Sequence, residues 1–311
     1  MRFVFYTDVQ LSGQTPRHRV DDYQQALLNK TREVYGIAKT SGADFVVCGG
    51  DLFNAHRMFS FEFLSDIMDV MCESGLKTYT AIGQHDILGY NRDTYKSSTM
   101  AFVIRRCPAL QVIWEPTAVG CVTLRASHVW EKLTDAAQED LDDSQVNVLV
   151  VHHLLTNKSA MFDTSNTSDF SKLMTGVRYD VVVSGDLHDG YHTHEVDGMW
   201  FCNPGSIARQ AISDITRMPQ VAVIDVEVGK TPFIDIRLLA CAEPGEKVFG
   251  ESAAEVMRSK TDFDPTVFVK EVEDFETESA DIHDLVQKVG RAKGLRTEVL
   301  DYLASKTPKV A

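Results

Sequence analysis

Short apolar, β-branched runs alternate with longer stretches of helical period over the first two-thirds of the chain. Arg2–Tyr6, Asp44–Cys48, Lys77–Ile82, Gln111–Trp114, Cys121–Ala126, Asn147–Val151 and Tyr179–Ser184 read as strands. Between them, Asp21–Thr40 sets Tyr23, Ala26, Leu27, Val34, Ile37 and Ala38 at helical spacing. Ser60–Ser74 has the same character and meets a stop at Gly75. Strand, helix, strand in succession predicts an α/β domain with right-handed crossovers. From Met199 the period shortens, and Met199–Cys202, Gln220–Val228 and Pro232–Leu238 read as consecutive strands joined by short turns such as Val228-Gly229-Lys230. Tyr191–Val196 alternates so that His192 and His194 share one face of a further strand. Beyond Cys241 the chain turns acidic and helical over Ala253–Arg258, Asp281–Arg291 and Thr297–Lys306. The expected organisation is a main domain over 1–240 and a capping or partner-docking C-terminal segment over 241–311. Asn157–Ser171, rich in Ser, Thr, Asn and Asp, reads as a surface loop.

Composition narrows the class. A length of 311 residues suffices for one large core and a smaller element, and 44% apolar with 24% charged residues is ordinary for a soluble protein. No apolar stretch approaches the roughly 20 residues of a membrane span. The chain opens directly on a strand with no leader pattern, so the cytoplasm is the expected compartment. The six cysteines (Cys48, Cys72, Cys107, Cys121, Cys202, Cys241) are scattered without a C-x-x-C pair and read as reduced, mostly core residues. The net charge of −14 counts against binding nucleic acid through bare phosphate contacts, unless metal ions and a partner subunit supply the positive charge.

The candidate chemistry lies where the strand-like runs end. Thr7-Asp8-Val9-Gln10, Gly50-Asp51, Gly83-Gln84-His85-Asp86, His152-His153 and Gly185-Asp186-Leu187-His188 each follow such a run, the place where an α/β sheet presents functional loops. A pair of divalent cations needs a bridging carboxylate among oxygen and imidazole ligands. Asp51, after two glycines, is the expected bridge, with Asp8 and His188 on one metal. His152, preferred over His153, and Asp186 go to the other, with Gln84 offering an amide oxygen. A donor set of N and O without thiolate suits Mn²⁺, Fe or Mg²⁺ better than structural zinc. His85 is the expected catalytic group, with Asp86 orienting its ring and favouring the protonated form. Arg17, Arg57 and Arg209 are candidates for phosphate contacts, their plainer reading being solvated surface charge. His56 reads equally as a structural or a substrate-binding residue. His18 and His128 read as packed, hydrogen-bonded residues rather than ligands.

The ordered series D-x-(H), GD, GN-H-D/E, H and GH-x-H resembles the signature of calcineurin-like metallophosphoesterases over roughly Met1–Leu238. Gly49-Gly50-Asp51-Leu52-Phe53 and Asn203-Pro204-Gly205-Ser206-Ile207-Ala208-Arg209 resemble, more narrowly, the SbcD/Mre group of DNA repair nucleases of bacteria and bacteriophages. That resemblance implies a four-layer α/β/β/α sandwich and two Mn²⁺ ions. It also implies an SbcC-like ABC-type coiled-coil ATPase partner and a homodimer built on the helices of Asp21–Thr40 and Ser60–Ser74. The implied activity is exonuclease on duplex DNA and endonuclease on single strands, in repair, recombination and replication, inside a bacterial or phage-infected cell. Three positions depart from the pattern. Gln10 stands for the first histidine, Gln84 for asparagine, and Asp186 for the first histidine of GH-x-H. Each keeps an oxygen able to ligate a hard ion, Gln10 directly or through water. Two other readings use the same fold: a small-molecule or nucleotide phosphodiesterase, and a metal-poor scaffold.

Overall fold

Two six-stranded sheets face one another in a computed structural model of the protein, which describes residues 1–58, 60–133, 141–156 and 178–250 and the backbone of 168–169. All of these belong to one compact unit, Met1–Ala254. In the first sheet β1 (Arg2–Tyr6), β2 (Phe45–Cys48), β3 (Thr78–Thr80) and β4 (Leu110–Val112) run parallel in that order. The second begins with β5 (Thr117–Val119), antiparallel to β6 (Val122–Ser127). Parallel to β6 runs β7 (Val146–His152). A separate two-stranded pair joins β8 (Leu155–Thr156) to β9 (Ser168–Asp169). The second sheet is completed by β10 (Val181–Gly185), parallel to β7, then β12 (Met199–Asn203), parallel to β10, with β11 (His192–Val196) antiparallel at the edge. The chain then returns to the first sheet. There β13 (Gln220–Asp225) lies antiparallel to β1, and β14 (Phe233–Leu238) antiparallel to β13.

That return corrects one expectation. Met199–Cys202 and Gln220–Val228 are not neighbours in a meander, because β12 pairs in the second sheet and β13 in the first. Alternation marks a strand but carries no address for its partner.

Parallel strands buried on both faces explain the near-continuous apolar runs. Between the sheets lie Phe3, Phe5, Phe45, Val47, Val148, Val150, Val181 and Val183, with Phe3 stacked on Phe45 at 5.2 Å. Truncating such residues costs about 2–5 kcal/mol each. The outer face of the first sheet is covered by helices α1 (Tyr23–Thr40), α2 (Phe61–Glu73) and α3 (Thr99–Arg106). Asp22 caps α1 by accepting from the Gln25 N–H, and Tyr23, Leu27, Val34 and Ala38 form its buried stripe. Cys72 at the end of α2 and Cys107 after α3 are free thiols 3.3 Å apart. On the outer face of the second sheet Leu149, Val151, Val182 and Phe201 are buried with Leu133 and Leu155. The helical layer expected over that face lies outside the described residues, so three layers of the four-layer α/β/β/α sandwich are described.

Past residue 240 the chain still packs on this unit. Glu33 accepts from the Ala240 and Cys241 N–H groups, and Val248 and Phe249 of α4 (Gly245–Phe249) are buried. The helices expected within 253–306, and most of the loop Asn157–Ser171, lie outside the described residues. Among the described residues no helix is long and apolar enough to cross a membrane.

Candidate metal centre

The loops at the carboxyl ends of β1, β2, β3, β7 and β10 converge on one point. Asp8, Gln10, Asp51 and Asp186 are held there at φ of 52°, 50°, 48° and 72°, left-handed values that cost non-glycine residues about 1–3 kcal/mol each. Such backbone persists only where the surroundings impose it. Gly50 shows one constraint: at φ 100° a Cβ would stand 2.6 Å from His152 Nδ1. Gly83 shows another, since its Cβ would overlap the Asp51 carboxylate.

At the bottom of the convergence Asp8, Asp51 and His152 are fully buried, with ligand atoms all within 4.8 Å of one another. Each presents one atom inward and ties down the other. Asp8 Oδ2 accepts from Thr7 Oγ1 (2.6 Å) and the Asp186 N–H (3.1 Å), leaving Oδ1 without a partner. Asp51 Oδ1 accepts from the His85 N–H (2.8 Å), leaving Oδ2. His152 Nδ1 donates to the Gly49 carbonyl (2.7 Å), leaving Nε2. A backbone acceptor behind a ligating imidazole is the usual way its tautomer is set. Gln84 adds a fourth atom: its Nε2 donates to Asp186 Oδ1 (2.7 Å) while its buried Oε1 has no partner.

The electrostatics agree. His152 Nε2 lies 3.5 Å from Asp51 Oδ2, and His188 Nε2 lies 3.5 Å from Asp8 Oδ1. Burial works against a charged His152, yet Asp51 and then Asp8 and Asp186 hold its pKa well above the ordinary value. Burial raises Asp8, but the nearby His188 imidazole and the charge of His152 bring its carboxyl below the usual range. Burial pushes Asp186 up. Carboxylates clustered out of water demand positive charge, from imidazole protons or from a cation that displaces them. Orphaned acceptors, hard donors and unsatisfied negative charge fit divalent metal ions.

The remaining site residues sit around this floor. His85 and His188 are open, with side chains 42% and 37% exposed, and His85 Nε2 lies 3.7 Å from Asp51 Oδ2. The Gln10 amide nitrogen lies 3.0 Å from His188 Nε2. Gln10 and Gln84 therefore each tie a first-sheet loop to the Asp186–His188 loop of the second sheet. His153 turns away, its Nε2 3.1 Å from Ser127 Oγ, and burial lowers its pKa to about 4. Arg17 and Arg57 are exposed and His56 is half-buried.

Two expectations need correction. Asp86 makes no hydrogen bond to the His85 ring. It is fully buried, and its oxygens accept from the Phe53 N–H (3.0 Å) and the Gly83 N–H (2.9 Å), so it braces the Asp51 loop against the His85 loop. Burial, with Asp51 nearby, raises it to about 7. Arg209 cannot meet a substrate where it lies. It is 1% exposed and donates to the Glu243 and Arg217 carbonyls.

The Arg209 side chain belongs to a feature that sequence reading missed. Segment Asn203–Arg209 links the two halves of the site: Ser206 N–H donates to His188 O, Ser206 Oγ to Asp8 O, and Ile207 N–H to Thr7 O. Beneath it, buried cations hold carbonyls of the same segment. Lys30 donates to Ile207 O, Arg19 to Arg209 O, and Arg217 to Ser206 O and Ala208 O. Burial, with Arg209 next, lowers Lys30 to about 7. The signal was present, since Lys30 falls between Leu27 and Val34 on the apolar stripe of α1.

The geometry has a family counterpart. A profile described as the Calcineurin-like phosphoesterase superfamily domain matches residues 18–229, a stretch that takes in Asp51, Gln84, His85, His152, Asp186 and His188 but leaves out Asp8 and Gln10. A dimetal phosphatase from Danio rerio has a similar solved structure, with 11% identity and a TM-score of 0.50 over 78% of this chain and 97% of its own. Yfce, a phosphoesterase from E. coli, is 13% identical with a TM-score of 0.37 over 76% of this chain and 99% of its own. At 11% identity the Danio rerio likeness speaks to the fold alone. No curated protein sequence matches the chain significantly. The profile covers more than half of the chain, and with the sandwich and its buried donor set it leads to one conclusion: the chain belongs to the calcineurin-like phosphoesterase superfamily.

Proposed function

We propose that this chain is a two-metal phosphodiesterase acting on the DNA backbone, the nuclease subunit of an SbcCD-like repair and recombination complex. The observation that carries the reading is the set of four buried atoms without a hydrogen-bond partner, Asp8 Oδ1, Asp51 Oδ2, Gln84 Oε1 and His152 Nε2, beneath a half-exposed His85. Asp8, Asp51, His152 and Gln84 would hold the ions, Mn²⁺ first among candidates, with Asp186 and His188 completing the set and Gln10 supporting His188. Bound divalent ions supply an acidified water and offset the charge of the phosphate.

The chain's own residues do the rest. Asp51 fixes the His85 backbone through its N–H, so the ring stands over the floor with a solvent-open face. From there His85 hands a proton to the departing sugar oxygen. Arg17 and Arg57, with His56, offer charge and hydrogen bonds to flanking phosphates. Resemblance in Gly49–Phe53 and Asn203–Arg209 supports the nuclease reading over other esterases. With it come an SbcC-like ABC-type ATPase partner, a homodimer through α1 and α2, a cytoplasmic setting, and a docking role for 241–311. The net charge of −14 favours a second reading, a small-molecule or nucleotide phosphodiesterase.

Hydrolysis of a labelled linear duplex with Mn²⁺, Mg²⁺ or chelator separates these. The expected result is Mn²⁺-dependent degradation, reduced about 10²–10⁴-fold in His85→Ala. Intact DNA alongside hydrolysed bis-p-nitrophenyl phosphate would favour the small-molecule esterase. Inactivity on both, with no bound metal, would leave a scaffold.

A further inference from the structure

The edge that carries the candidate ligands also carries an aromatic ledge that the metal chemistry does not use. Trp114 follows β4, and His128-Val129-Trp130 follows β6. In the register, Thr80 pairs with Val112 and Ser127 with Val151. Both tryptophans therefore leave their strands at the end from which Gln84-His85 and His152 also emerge, where open α/β sheets take ligands. His128 ties the ledge to the site. Its Nδ1 accepts from the Ile82 N–H (3.0 Å), its Nε2 donates to Ile113 O (3.0 Å), and Val129 N–H donates to Ile82 O (3.1 Å).

The rings support one another without covering the outermost. His128 stacks on Trp130 at 4.8 Å, and Trp114 tilts on His128 at 5.4 Å with Tyr95 edge-on at 4.9 Å. Burial lowers His128 to about 4, so it stacks as a neutral ring. The Arg92 guanidinium lies over the Trp114 ring, 5.5 Å from its centroid, and Trp130 lies near-parallel to that ring at 6.2 Å. Yet Trp114 remains 41% exposed, and Leu88 and Tyr90, on the loop just after His85, are 54% and 57% exposed. The charge is equally local: residues 87–106 hold Arg92, Lys96, Arg105 and Arg106 against Asp93 alone, in a chain of net charge −14.

We propose that the exposed part of Trp114, with the Arg92 guanidinium over its ring, is a stacking subsite for the nucleobase of the phosphoester substrate. A flat, pre-positioned ring next to a cation suits a base that carries a phosphate, because every base has a π-face and stacking tolerates any sequence. The base rests on the ledge while its phosphate reaches the His85 loop. The proposal rests on the nucleic-acid phosphodiesterase reading and adds to it a preference for unpaired, accessible bases, such as those at the frayed end of a duplex.

The test compares fluorescent oligothymidylate with a strand of the same phosphates but abasic sugars. Binding is measured by anisotropy with Ca²⁺, and Mn²⁺-dependent cleavage is followed separately. Trp114→Ala is expected to weaken the base-bearing strand about tenfold or more and to leave the abasic strand unchanged, with Trp114→Phe restoring most of the loss. Equal binding of both strands by the wild-type protein overturns the ledge, as does an equal loss on both strands in Trp114→Ala. Cleavage without base dependence sinks the ledge alone, whereas base-dependent binding without cleavage sinks the nuclease reading alone. Thymidine monophosphate competing as well as the strand supports the subsite for free nucleotides, and far weaker competition supports it for a strand.

Discussion

The two halves of the candidate centre differ in what surrounds them. Asp8, Asp51 and His152 form a floor with no exposure, while His85 and His188 form a rim about two-fifths exposed. Floor residues have one polar atom tied by the protein and one orphaned, an arrangement that is unfavourable unless an ion fills it. Rim residues lie open to water and need no such partner. A floor like this is built to bind, and a rim like this to meet something that arrives.

The sharpest way to break that contrast is Asp51→Asn. The amide keeps an acceptor for the His85 N–H and removes a buried charge. Metal affinity by titration calorimetry should fall at least about 10²-fold, while the metal-free protein loses no more stability than the Asp51–His152 ion pair supplies. A marked loss of metal-free stability would instead make Asp51 structural and remove the distinction between floor and rim. Next in size is the response to metal itself. Mn²⁺ at a hundred times its dissociation constant should stabilise the wild-type fold by about 2.7 kcal/mol, and chelator should reverse it. The His85→Ala variant should gain the same amount, since the rim is not asked to hold the ion. Unequal gains would merge the two halves.

The smallest effect lies beneath the floor. Burial holds Lys30 down at about 7 in the folded chain, against 10.5 for an ordinary lysine. The unfolded chain therefore binds more protons between those values, and stability should rise with pH across that window, by up to about 1.4 kcal/mol for each pH unit. Below pH 7 the full penalty is present. Lys30→Met should flatten the dependence in denaturant titrations at pH 7, 8 and 9. An unchanged slope would mean that Lys30 reaches water and that the floor is less closed than its burial indicates.

Most of the centre was legible because a strand's end can be seen in sequence. Asp8, Asp51, Gln84, His152, Asp186 and His188 each follow an apolar run, and the fold gathers those ends. Side-chain direction was not legible. Asp86 follows His85, yet it points back to the Phe53 and Gly83 amides, because neighbours on a tight loop diverge. Arg209 follows a motif at the site but turns inward to carbonyls. Helix α3 was missed because its eight residues make only about two turns, too few for a helical period to stand out. The change of sheet between β12 and β13 depends on long-range pairing that no local pattern encodes.

The segment Asn203–Arg209 has a wider consequence. Ser206 bonds to the Asp8 backbone on one side and to the His188 backbone on the other, so the loops of the two sheets are fastened to each other. The gap between them is then dictated by how closely the sheets approach, which Phe5, Val150 and Val183 decide from the interior beneath the site. A single methylene removed from that interior would be felt as a change in the spacing of the ion-binding atoms. The catalytic ruler of this enzyme is its hydrophobic core.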